Sequence, residues 1–197
     1  MGISLIEADA THRLIRLYKG FFCIIMSDNK IFNVFIASSG DITLERKIVN
    51  EICSGIGDCI LPNPTGISFK VTPWENVFSG GGTTEETTKK LADECDILVC
   101  ILFKRFSCLI DQTGPDSLKE FLLAYDSWKT VKKPKMLFYF KEVKDTDLVE
   151  QHRLNNVLTL KEKLKNDRLF YCEDFSAPQK FCERMHDQLM KTIEGME

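Results

Sequence analysis

Five short apolar runs, each separated from the next by a stretch of helical periodicity, leave this chain few folds to choose from. The strongest run is Ile97-Leu-Val-Cys-Ile-Leu102, uncharged and rich in β-formers, the pattern of a strand buried on both faces. Ile31-Phe-Asn-Val-Phe-Ile-Ala37 and Lys135-Met-Leu-Phe-Tyr-Phe140 share that character. Residues 67–74 carry apolar side chains at 67, 69 and 71, and Pro73 near the end suits an edge strand. Arg168-Leu-Phe-Tyr-Cys172 reads as the last strand.

The intervening segments read as helices. Residues 42–54 place Leu44, Ile48, Val49 and Ile52 at helical spacing, toward the core. Thr83-Thr-Glu-Glu86 is a capping box opening a helix to residue 94. Helices follow over 117–130 and 146–166, and Ser176-Ala-Pro-Gln179 caps a terminal helix with Pro178 in its first turn.

Parallel strands need crossover connections, so this alternation implies a doubly wound α/β fold with helices on both faces. The expected sheet is five-stranded, parallel and flavodoxin-like, in the order 2-1-3-4-5, with its switch point between strands one and three. Residues 31–197 form this single domain. Residues 1–30 stand outside the repeat as an extra N-terminal helix, with Leu5, Ile6, Leu14, Ile15, Leu17 and Tyr18 on one face. That face either packs on the sheet's edge or serves self-association or a partner.

Composition excludes several classes. The net charge is −3 and the basic residues are dispersed, which argues against nucleic acid as partner. No apolar run approaches the roughly 20 residues of a membrane span, so no membrane partner is expected. The eight cysteines include no Cys-x-x-Cys, and the three histidines are isolated, so neither zinc nor a redox centre is expected. Several cysteines fall inside apolar runs, as small buried hydrophobes do, which fits a reducing cytoplasm. No G-x-G-x-x-G and no P-loop lysine occurs, so the usual dinucleotide and triphosphate cradles are missing.

Ligands of open α/β sheets bind beyond the carboxyl ends of the strands. Glu120 falls in the first turn of the 117–130 helix, after the strongest strand. A helix amino end favours a carboxylate's charge, and a carboxylate there can support an oxocarbenium-like ribose or accept a hydroxyl proton. Ser117-Leu-Lys-Glu120 is also a capping box, in which the glutamate would only bind a backbone N–H. Ser38, Ser39 and Asp41 follow the first strand as a cradle for hydroxyls or phosphate, or as plain helix caps. Trp74 ends the second strand, where its ring can stack on a base or anchor a core. Phe103 and Arg105 close the third strand, and Arg105 can meet a phosphate or pair with Asp111 or Asp116.

Four pieces together resemble the TIR-like (Toll/interleukin-1 receptor) domains of bacterial defence proteins, which are similar to the nucleoside 2-deoxyribosyltransferase group. They are Val34-Phe-Ile-Ala-Ser-Ser-Gly-Asp-Ile-Thr-Leu-Glu-Arg46, Trp74-Glu75, Glu94-Cys-Asp-Ile-Leu-Val-Cys-Ile-Leu102 with Arg105, and Ser117-Leu-Lys-Glu-Phe-Leu-Leu-Ala124. The resemblance implies cleavage of an N-glycosidic bond, commonly that joining nicotinamide to ribose in NAD, with a cyclic ADP-ribose as a further product. Glu120 falls on the catalytic position, and Ser38, Ser39, Trp74, Phe103 and Arg105 on substrate loops. NAD is then substrate, with no separate cofactor. The expected partners are further copies of the chain or another defence protein, since such enzymes act when assembled. Two departures stand out: Ser117-Leu-Lys replaces the usual small residues before the glutamate, and Phe106-Ser-Cys replaces a glycine-rich turn. A nucleoside transferase or hydrolase, and a catalytically silent adaptor or nucleotide sensor, are the competing readings.

Overall fold

A computed structural model describes residues 30–38, 42–57, 66–73, 76, 84–104, 132–143, 151–167 and 171–196. Five strands form one sheet: β1 (Lys30–Ser38), β2 (Ile67–Pro73), β3 (Ile97–Leu102), β4 (Lys135–Lys141) and β5 (Tyr171–Phe175). The helices among the described residues are α1 (Thr43–Gly57), α2 (Thr84–Glu94), α3 (Gln151–Asp167) and α4 (Pro178–Glu194). The order across the sheet is β2-β1-β3-β4-β5, and every neighbouring pair is parallel. This is the flavodoxin-like arrangement read from the alternation of elements. Residues 1–29 of the expected N-terminal extension and the expected 117–130 helix lie outside the described residues, and Lys30 already belongs to β1.

Every residue of β3 is buried, as its uncharged run requires of the central strand. β2 stands at an edge, which accommodates Pro73 opposite Ile36. Side chains alternate between the two faces. One core holds Val34, Ile36, Val99, Ile101 and Tyr139 of the strands against Val49 of α1 and Phe181, Met185, Leu189 and Ile193 of α4. The other alternation, including Phe35, Leu98, Cys100 and Phe138, is equally buried, and α3 contributes Val157, Leu160 and Leu164.

Asp96 ties β1 to the starts of β3 and β4. Its Oδ2 accepts from Asn33 N–H at 2.9 Å, its N–H donates to Asn33 O at 3.0 Å, and its carbonyl accepts from Lys135 N–H at 2.9 Å. The Cys-Asp-Ile piece at 95–97 therefore sets strand register, at the edge opposite the expected ligand rim.

Three local expectations need correction. The last strand, Tyr171–Phe175, runs three residues past the expected end at Cys172, while residues 168–170 of the expected run lie outside the described residues. An edge strand tolerates charge on its pleat, and both acids of β5 are paired: Glu173 with Arg184, and Asp174 with Lys161 and Lys165. The capping box at Ser176 does not form; the cap is Ala177, in extended conformation and without a side-chain bond, and Pro178 supplies the pre-set first turn. In α1, Leu44 is 52% exposed and Glu45 takes the inward position instead, at 1%.

Candidate functional site

β1, β3 and β4 end side by side, and the side chains at those ends converge. Ser38, the last residue of β1, is buried. Arg46, in the first turn of α1, grips it twice: Nε donates to the Ser38 hydroxyl oxygen, and Nη2 donates to the Ser38 carbonyl at 2.6 Å. A guanidinium fork suits this double contact because its donors are fixed in one plane. The contact ties the strand end to the helix that follows it. It spends acceptor capacity of the serine oxygen and leaves the hydroxyl proton to donate.

Glu45, one residue earlier, points to the other side. It shares the inward stripe with Val49 and Ile52, at spacings of four and seven. Lys141, the last residue of β4, brings its Nζ to 2.8 Å from Glu45 Oε1. That oxygen meets no aligned hydrogen-bond donor, so the contact is a charge pair rather than a directed bond. The same ammonium lies 5.2 Å from the centre of the Phe103 ring, just past β3, and Lys104 approaches that ring at 5.6 Å. Consecutive residues of one helical turn therefore clasp the ends of two strands, with Phe103 beside the clasp.

Next to it, a cavity of about 390 Å³ opens between the ends of β3, β4 and β5 and the first turns of α3. Phe103, Phe140, Leu154, Val157 and Leu158 give it an apolar wall, and Lys141, Lys161, Glu142 and Asp174 supply charge. Asp174 is drawn in two directions: burial raises its pKa, while the contacts and charges of Lys161 and Lys165 outweigh burial and leave it lowered.

Of the residues read from sequence as site candidates, Ser38 and Phe103 are described, and both stand on this rim. Glu120, Ser39, Asp41, Trp74 and Arg105 lie outside the described residues. The sequence reading passed over Glu45, Lys141 and the cavity. Glu45 was legible in part, since its spacing to Val49 and Ile52 already set it on the inward stripe. Its partner, 96 residues away by the difference of their numbers, carries no local mark.

The family profile for a domain of unknown function, DUF4062, matches residues 33–190. The chain belongs to that family. The DUF4062 match runs from β1 into α4 and takes in Ser38, Glu45, Arg46, Phe103 and Lys141. No curated protein matches the chain. Among the described residues no three of His, Cys, Asp and Glu cluster as metal ligands. No described helix is long and apolar enough to cross a membrane.

Proposed function

We propose that this DUF4062 chain cleaves the N-glycosidic bond of NAD at the rim where β1, β3 and β4 end. The observation that carries the reading is the reversal of strand order between β1 and β3, with Ser38 and Phe103 at the two strand ends that flank it. Ligands of doubly wound sheets bind at such switch points. The TIR-like resemblance of the sequence supplies the reaction and its catalytic carboxylate, Glu120, which belongs to the connection between β3 and β4.

In this reading nicotinamide leaves with the bonding electron pair and positive charge develops at the ribose C1′. The Glu120 carboxylate offsets that charge. The resulting ADP-ribosyl cation is captured at C1′ either by water or by a nucleophile of its own adenosine portion, which closes a ring, and a proton is released in each case. Ser38 donates its hydroxyl proton to the ligand, while Arg46 holds the serine in place.

The test is nicotinamide release from NAD, followed by mass spectrometry with the full chain at high concentration and with a crowding agent. Wild type should release nicotinamide, and Glu120→Ala should lose about 10²-fold or more of the rate. No release under any assembling condition, or release unchanged in Glu120→Ala, overturns the proposal. A panel of nucleosides in the same assay separates NAD cleavage from nucleoside hydrolysis.

A further inference from the structure

The cavity between the ends of β3, β4 and β5 and the start of α3 adjoins the Ser38 rim and shares Phe103 with it, and its charges are not balanced evenly. Asp174 is held by two lysines: Lys161 Nζ at 2.6 Å from Oδ1 and Lys165 Nζ at 2.9 Å from Oδ2. Only Lys161 of the two lines the cavity. Its contact with Oδ1, at 2.6 Å, engages one side of the ammonium. An ammonium has three N–H donors, so Lys161 keeps donors for another acceptor. If it turns to one, Asp174 still has Lys165.

Lys141, which also lines the cavity, is in a different position: its turning away would leave Glu45 buried and unpaired. The charge that an incoming group can recruit is therefore that of Lys161. Exposed Glu142 also lines the cavity and disfavours a second negative charge. The remainder is apolar, with Phe103 and Phe140 from the strand ends and Leu154, Val157 and Leu158 from α3. The volume, about 390 Å³, falls in the range of small-molecule sites.

We infer that this cavity binds a small monoanion, a carboxylate or phosphodiester on a planar or apolar body, with Lys161 meeting the charge. The inference stands apart from NAD cleavage and needs no part of it.

Isothermal titration calorimetry on the full chain tests it with two matched pairs of probes, 2-naphthoate against 2-naphthamide and cyclic AMP against adenosine. At least one anion should bind with a Kd below about 1 mM and more tightly than its neutral counterpart. Binding of 2-naphthoate alone assigns the site to carboxylates, and of cyclic AMP alone to phosphodiesters. Lys161→Met should weaken the anion about tenfold and leave the neutral probe unchanged. Leu158→Asp, at an exposed position of the same wall, should weaken the anion as well. Lys165→Met, which also touches Asp174 but lies outside the cavity lining, should change binding by less than about twofold. Thermal melts establish that each variant is folded. The inference fails if neither anion binds, if the neutral probes bind as tightly, or if Lys161→Met and Lys165→Met have equal effects.

Discussion

Replacing Lys141 by Met is the most telling perturbation of the clasp. Glu45 is 1% exposed and its charge contact is the Lys141 ammonium at 2.8 Å. Removing one member of a buried pair leaves the other charge without compensation and costs about 3–5 kcal/mol. The Lys141 side chain is 26% exposed, so water reaches the vacated place and the lower end, about 3 kcal/mol, is expected. Glu45→Met should cost less, about 1 kcal/mol, because the freed ammonium can extend into water. The double variant puts two apolar side chains where the pair stood and should unfold close to wild type or within about 1 kcal/mol of it. The cycle then gives a coupling of about 3 kcal/mol. Urea unfolding reads this directly: with a slope of about 2 kcal/mol/M, Lys141→Met lowers the midpoint by about 1.5 M. The Phe103 contact is shared by Lys141 and Lys104, so loss of cation–π attraction accounts for only about 0.5–1 kcal/mol. If both single variants cost under about 0.5 kcal/mol and add without coupling, the pair does not hold Glu45 inside, and the clasp is a packing contact only.

The same unfolding assay carries a second expectation at Phe181, fully buried with its ring 5.0 Å from Tyr139 and 4.9 Å from Phe175. Phe181→Ala should cost about 3–5 kcal/mol and Phe181→Leu clearly less; equal costs would mean the aromatic cluster is not what α4 docks on. The lowered pKa of Asp174 makes its stabilisation complete above the ordinary carboxylate value and lost as pH falls through the lower folded value. Wild type should therefore lose more of its urea midpoint than Asp174→Asn between about pH 5 and pH 2, and parallel curves would refute the pairing. Burial pushes the Cys53 and Cys95 thiols up to about 12, so at pH 8 iodoacetamide should leave both unmodified in the native chain and alkylate them in urea. Peptide mass spectrometry checks this, and native labelling at either site faster than global unfolding would contradict the core assignment.

Much of the architecture could be read one element at a time. The run at 97–102 is uncharged because the strand is covered on both faces, and such a run identifies itself without reference to the rest of the chain. Pro73 disclosed an edge for the same reason, since a missing N–H matters only where a neighbour would need it. The extension of β5 through Glu173 and Asp174 to Phe175 went unread because these acids are matched by Lys161, Lys165 and Arg184, on helices to either side of it in sequence. In α1 an apolar residue was expected inside at position 44, whereas Glu45 went in, because a lysine at the end of β4 was there to meet it.

Periodicity, turn chemistry and the absence of charge in the central runs settle which segments are strands, which are helices, and that the sheet is parallel, because each depends on neighbours within a few residues. The partner of Glu45, the double hold of Arg46 on Ser38, and the cavity between three strand ends and α3 depend on which strands lie side by side. Folding alone creates those proximities. A buried charge is tolerated only where the tertiary structure delivers its counter-charge, and no local pattern records that delivery.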